Sequence, residues 1–190
     1  VGISAEIMRP TALALNIVVA TIATIKFYRA GSFSWRLLLP LAITSIPMAY
    51  VGGSIVLPEH FYKPLVGLIL LFSAWRLIHQ ARNGSSYEIK KPSIPFLLFS
   101  GAALGFLSGL TGVGGGIFLS PLLLFFHWAP IKVISGVAAS FILVNSISGI
   151  LGVSSTLTQF HPTLPIWLVV VVIGGLIGAE YGSKRLGNIT

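Results

Sequence analysis

From Gly109 to Gly116 the chain reads GLTGVGGG, five glycines in eight residues. A glycine-rich turn ahead of a helix suits an anion. The helix start leaves main-chain N–H groups without acceptors and carries the positive end of the helix dipole. The nucleotide-binding versions of this turn are excluded. One requires a lysine after its second glycine, and none is present; the other requires a preceding strand and a later acid, and neither is found. The stretch that follows, IFLSPLLLFF, is almost wholly apolar. The expected ligand is therefore a small anion held by main-chain N–H groups of Gly114, Gly115 and Gly116, with Ser108, Thr111 and Gly112 lining the same turn. The carbonyls around Leu107–Gly109 face the same region and suit a cation or a proton carrier. Gly101, Gly105 and Gly109 are spaced by four and are assigned to close helix contact.

Other polar residues stand in apolar surroundings. Asn145 is flanked by Ser140, Ser146 and Ser148. Two readings stay open for it: interhelical hydrogen bonding, worth about 0.6–2 kcal/mol, or a substrate wall opposite the glycine turn. Ser140 is placed with that wall, and Ser146 is assigned to interhelical hydrogen bonding. Asn16 is the corresponding candidate in the first half of the chain. Glu180 is the one acid in a strongly apolar stretch. Lys184, four residues on, suits an ion pair on one helix face, and proton coupling is the second reading. The chain has no cysteine, and its four acids are all glutamates. His60, His79, His127 and His161 show no metal-ligand spacing, so neither a metal nor a cofactor is expected. An enzyme would need a nucleophile–base pair or a metal set inside the apolar segments, and none can be assembled.

These residues sit in a chain whose solvent is a bilayer. Of its 190 residues, 55% are hydrophobic and 8% charged, against about 25% charged in soluble domains. Mean hydropathy is +0.94. A transmembrane helix needs about 20 apolar residues. Segments 11–28, 35–57, 61–81 and 164–183 qualify, and 131–153 is a softer fifth. The net charge of +8 does not point to nucleic acid, because the basic residues fall in short loops as topology signals. Lys26, Arg29 and Arg36 surround the first turn. Arg76, Arg82, Lys90 and Lys91 follow the third span, and Lys184 and Arg185 end the last. The loop 154–163 has no Lys or Arg. Loops 26–36 and 82–93 are accordingly expected in the cytoplasm, and 154–163 outside. The remaining apolar region, 94–127, then starts and ends on the cytoplasmic side. Two full crossings, or a hairpin that enters and returns, satisfy this; the preferred reading is a re-entrant, broken-helix hairpin with arms 94–110 and 116–128. Each arm is short for a crossing, and the tip lies at Leu110–Gly115. Irregular backbone at that depth must be covered by protein or line a watery cavity. Trp35, Trp75, Trp128 and Trp167 fall near span ends, as interfacial anchors do.

An internal repeat organises the spans. SIPMAYVGGSIVL (45–57) resembles GLIGAEYGSKRL (175–186), pairing Ala49 with Ala179 and Gly52 with Gly182. ALALN (12–16) resembles GVAAS (136–140), which pairs Asn16 with Ser140. By the topology above, matched segments cross in opposite directions. The fold expected is an all-α integral membrane, inverted-repeat bundle, a recurring plan of secondary transporters. The first repeat spans 1–82, the cytoplasmic linker 83–93 and the second repeat 94–190. On this plan the chain is truncated at both ends. The first hairpin would precede Val1, with residues 1–9 its tail, and a final span would follow Thr190.

GFLSGLTGVGGGIFLSPLLL (105–124), with GVAASFILVNSISGILG (136–152) and SIPMAYVGGSIVLP (45–58), resembles the TauE/SafE family of sulfite exporters. The resemblance implies a permease for small anions, sulfite or another inorganic or organosulfur anion, in a bacterial or archaeal plasma membrane. Read with the repeat, it implies a secondary transporter working by alternating access around the hairpin, coupled to a proton or sodium. An anion channel using the same hairpin is the alternative. The orientation has a direct check in a cysteine-free chain. A single cysteine at Thr158 is expected to react with an impermeant thiol reagent only from outside, and one at Gly31 only from the cytoplasm. Labelling of Thr158→Cys from the cytoplasm alone would overturn the inverted arrangement.

Overall fold

The computed structural model describes residues 5–55, 89–154 and 161–184, with isolated positions between 58 and 78. Within these the chain forms α1 (Ala5–Arg29), α2 (Trp35–Ser54), α3 (Ile94–Thr111), α4 (Gly116–Phe125), α5 (Ile131–Ser154) and α6 (Leu164–Lys184). No strand occurs among the described residues. Phe61, Pro64, Gly67, Leu68, Leu71, Trp75 and Ile78 are helical within the expected span 61–81, as is His60 just before it. The rest of that span, linker residues 83–88 and loop residues 155–160 lie outside the described residues. Among the described residues five helices, α1, α2, α3, α5 and α6, are long and apolar enough to cross a membrane, and the ten residues of α4 are not.

One arm differs from the sequence expectation. α3 has 18 residues, about 27 Å at 1.5 Å per residue, and is long enough to cross. Nothing between Ile94 and Thr111 breaks it. It ends where Gly112 adopts φ +74° and returns its N–H to Ser108 O.

Neighbouring helices pack in the order α3, α2, α5, α1, α6, with α4 tucked against α5. Two directions alternate in groups. Leu41, Ser45 and Ala49 of α2 meet Gly101, Gly105 and Gly109 of α3, so those two helices are parallel. Ile46 and Ser54 of α2 meet Ser148 and Gly152 of α5, which is parallel as well. α1 runs the other way, since Thr24 near its end meets Ser140 near the start of α5. α6 runs with α1: His161 N–H, just before α6, donates to Thr11 Oγ1 at 3.1 Å, while Glu180 near its end pairs with Lys26.

Glycine sets how close these helices come. A Cβ on Gly109 would strike Ala49 O and lie 2.8 Å from Gly53 N, and one on Gly105 would strike Ser45. Without a hydrophobic drive between helices in lipid, such backbone contact is the main source of association. The three glycines assigned to packing all lie on this seam. The α6 glycines are not alike: Gly175 meets Val19, while Gly174 and Gly178 face open space. Gly109→Ala is expected to lower the melting temperature in detergent by several degrees. Gly178→Ala is expected to leave it unchanged or slightly raised, since alanine has the better helix propensity. Fluorescence-detected size-exclusion after heating measures both. Equal tolerance at the two positions would show that the α2–α3 seam does not carry stability.

Candidate functional site

The glycine turn joins two helices that return to the same end of the bundle. Lys90 N–H donates to His127 O at 2.8 Å, and the Phe96 ring lies 4.8 Å from Phe126 and 5.7 Å from Trp128. These contacts bring the entry to α3 beside the exit from α4. The reversal itself needs Gly112, Gly114 and Gly115, whose φ values are +74°, +81° and +70°, a region that side chains with a Cβ rarely enter. Its position is deep. Gly114 lies against Asn16, Ile142 and Ser146, near the middles of α1 and α5. The N-terminus of α4, with its positive dipole end, is therefore buried halfway along the bundle.

Part of the hydrogen-bonding capacity of the turn is used internally. Gly116 N–H donates to Gly114 O at 2.9 Å, and Phe118 and Leu119 N–H both donate to Gly115 O at 3.2 Å. Of the three glycine N–H groups assigned to an anion, that of Gly116 is thus engaged in the turn. Thr111 Oγ1 donates to Leu107 O at 2.6 Å and accepts from Val113 N–H at 3.4 Å, bracing the reversal. Asn16 Nδ2 donates to Gly112 O at 3.2 Å, so this candidate does reach the tip.

Among the described residues three buried hydroxyls have no partner: Ser45, on the α2–α3 seam against Gly105, and two at the turn. Ser108 Oγ and Ser146 Oγ are fully buried and have no hydrogen-bond partner. Ser108 Cβ lies 3.1 Å from where a Cβ on Gly115 would stand, and Ser146 Oγ lies 3.5 Å from the same point on Gly114. The sequence reading assigned Ser146 to interhelical hydrogen bonding; the structure sets it at the tip with no hydrogen-bond partner. Its register on α5, one turn after Ile142, was the available signal. Asn145 donates from Nδ2 to Phe141 O at 2.8 Å, while its buried Oδ1 is unpartnered. It lies one turn from Phe141, which touches Gly115, and one turn from Gly149, which touches Gly109. Ser140 is drawn elsewhere, bonding Gly136 O at 3.1 Å and Thr24 Oγ1 at 3.3 Å. Glu180 is also remote from the tip. It takes both Lys26 and Lys184 as partners, and Lys26 is ten residues along α1 from Asn16, about 15 Å.

The space at the glycines is filled in this state. A Cβ on Gly114 would sit 2.8 Å from Ile142 Cγ2, and one on Gly115 would sit 2.9 Å from Phe141 Cε1. The expected open seat for an anion is instead walled by these two side chains.

Arg9 is the residue that the sequence did not single out. It is 3% exposed, near the start of α1. Its guanidinium donates to Ile55 O at 2.7 Å, Gly53 O at 2.9 Å, Gly52 O at 3.1 Å and Gly109 O at 2.8 Å. It thus gathers carbonyls from the ends of both α2 and α3, where the helix dipoles are negative and a cation is favoured. A Cβ on Gly112 would lie 3.2–3.5 Å from Arg9 atoms, so the side chain also packs on the tip. Charged groups inside a membrane bundle that pair with carbonyls tend to mark functional regions. Arg9→Met is expected to cost about 3 kcal/mol or more, from several buried acceptors losing their donor at about 1–3 kcal/mol each. Arg9→Lys should recover only part of this, because an ammonium has no planar fork. Thermal melting of the three proteins in one detergent measures it, and wild-type stability in Arg9→Met would deny Arg9 this role.

The family profile described as "Sulfite exporter TauE/SafE" matches residues 1–189. "Probable membrane transporter protein y4hK" of Sinorhizobium fredii is 41% identical over 188 residues, covering 97% of this chain and 76% of that protein. "Probable membrane transporter protein MJ0441" of Methanocaldococcus jannaschii is 27% identical over 192 residues, covering 92% of this chain and 69% of that protein. No solved structure matches. Family and relatives are named as exporters and transporters rather than enzymes, in keeping with five helices able to cross a membrane. The chain belongs to the TauE/SafE family of integral membrane transporters.

Proposed function

We propose that the chain carries a small sulfur-containing anion, sulfite or an organosulfonate, by alternating access around the glycine hairpin. The observation that carries this reading is the pair of partnerless buried hydroxyls, Ser108 and Ser146, beside a helix N-terminus in mid-bundle. Buried hydroxyls without partners are uncommon. A hydroxyl donates to an oxyanion, and the positive end of α4 adds to the attraction. The sulfur in the anion is supported by the family name alone. Ser108, Ser146, Asn16, Thr111, Asn145 and Gly112–Gly116 form the proposed site.

The geometry supports a closed gate toward the Lys/Arg-rich end. A cluster running through Leu37, Leu41, Leu97, Leu123, Val137 and Phe141 fills the bundle between that end and the tip. Passage of an anion requires Phe141 and Ile142 to withdraw and this cluster to part. α4 is the suited mover, being short and held mainly by α5. The two-repeat organisation, 1–82 and 94–190 about the linker 83–93, draws support from burial. On α6 the buried positions are 175, 179, 182 and 183; on the second half of α2 they are 45, 49, 52 and 53, each 130 residues earlier. Proton or sodium coupling belongs to the same proposal. Glu180, already bound by two lysines, is better placed to tie α1 to α6 than to carry a proton.

Proteoliposome uptake of sulfite, thiosulfate, sulfate, sulfoacetate and taurine, with and without a pH gradient, tests the reading. Saturable uptake of a sulfur anion is expected. Transport of none of them, or unitary conductance, would reject it. Ser108→Ala and Ser146→Ala should each reduce uptake at low substrate severalfold while leaving thermal stability unchanged or raised, because an unpartnered buried hydroxyl stabilises nothing. If both variants transported normally, the anion site would have to lie away from the tip.

A further inference from the structure

Where α2, α3 and α5 begin, the chain encloses a recess of about 370 Å³. Three cations, Arg36, Lys90 and Lys91, stand at its rim, and its floor is apolar, with Leu37, Trp128 and Val133. The cations are exposed, whereas Leu37 and Trp128 are buried. None of the three cations has an ion-pair partner among the described residues, and Glu180 is taken by Lys26 and Lys184. Among the described residues, then, the recess sets three cations without a carboxylate partner over an apolar floor.

In this closed arrangement the recess is sealed off from the hairpin tip. Leu37, Trp128 and Ala129 of its wall belong to the same apolar cluster that continues to Phe141 beside the glycines. A hydrated ion resting in the recess meets a dry barrier. The recess lies at the helix ends, where Trp35 packs on Phe33, and Trp128 on Phe96 and Phe126, and span ends fall at the membrane interface. Aromatic residues concentrate at that level. Basic pockets between helix ends on the cytoplasmic side match anionic headgroups, and each Lys or Arg near such a surface contributes about 1 kcal/mol.

We propose that this recess binds the phosphate headgroup of an anionic phospholipid of the cytoplasmic leaflet. Arg36, Lys90 and Lys91 hold the phosphate, and the glycerol and upper acyl chain lie on Trp128 and Leu37. The site has a structural consequence. The recess spans the entry to α3, the α4–α5 turn and the start of α2, which the Lys90–His127 main-chain bond already draws together. A lipid seated there fastens both outer ends of the hairpin to α2. The proposal rests on the charged end being cytoplasmic and is independent of which anion is carried.

The test uses the full chain in a neutral detergent. Melting temperature is read with added phosphatidylglycerol, phosphatidylcholine, glycerol phosphate or inorganic phosphate. The recess variant R36Q/K90Q is compared with R29Q/K132Q, which removes the same charge outside the recess. Phosphatidylglycerol should stabilise the parent and R29Q/K132Q, as a ligand of the native state does, and shift R36Q/K90Q by less than half as much. Phosphatidylcholine and the soluble phosphates should shift none of them. Equal stabilisation of R36Q/K90Q, or by phosphatidylcholine, would overturn the site. Stabilisation by inorganic phosphate that R36Q/K90Q abolishes would replace the lipid with a soluble anion. A second measurement needs no variant. A photoreactive phosphatidylglycerol should label peptides covering 33–37, 89–92 and 128–133, and labelling confined to other peptides would also reject the proposal.

Discussion

A helix that ends inside an apolar medium leaves main-chain groups that water cannot satisfy. This chain contains such ends by construction, because α3 and α4 meet deep within the bundle. Much of its polar chemistry answers that constraint. Arg9 takes carbonyls from the ends of α2 and α3. Thr111 takes the Leu107 carbonyl and supports Val113, Asn16 takes the Gly112 carbonyl, and Gly116 turns its N–H back to Gly114. Once these are matched, the unsatisfied hydroxyls of Ser108 and Ser146 stand out. Ser108 and Ser146 lie at the glycine turn, and a third unpartnered hydroxyl, that of Ser45, lies on the α2–α3 seam.

The close seams of the bundle follow from the same medium. Between lipid-bathed helices, contact distance matters more than the area of apolar side chains. Gly101, Gly105 and Gly109 let α3 lie against the backbone of α2, and Gly53 and Gly152 do the same for α2 and α5. These seams hold three parallel helices together, with α1 and α6 running against them. Both directions are needed, because α1 brings Arg9 to the ends of α2 and α3 and Asn16 to the turn.

Much of this could be read from residue order. The apolar spans, the Lys/Arg-poor loop and the glycine turn are composition signals, and α1, α2, α5 and α6 fall within a few residues of the expected segments, apart from the earlier start of α1. The seam glycines were legible from their spacing of four. The role of Arg9 was not, because its partners are backbone carbonyls and no residue type announces a carbonyl. Ser146 was missed for a related reason. Asn145 and Ser146 are adjacent, and one residue on a helix turns the side chain by about 100°, so the choice between them depends on how α5 is rotated. Ser140 matched Asn16 by sequence, yet it faces Thr24. The openness of the seat was also beyond reach, since it depends on where Ile142 and Phe141 rest.

The seam between α3 and α2 is a rail with more stops than its rider. Three evenly spaced glycines on α3 face four positions of the same spacing on α2, Leu41, Ser45, Ala49 and Gly53. Moving α3 forward by four residues, about 6 Å, would set Gly101 at Ser45, Gly105 at Ala49 and Gly109 at Gly53. The close fit itself therefore does not fix the axial position of the arm. Directional bonds do: Arg9 to Gly109 O, Asn16 to Gly112 O and Thr44 to Leu98 O each hold one stop on an otherwise repetitive track.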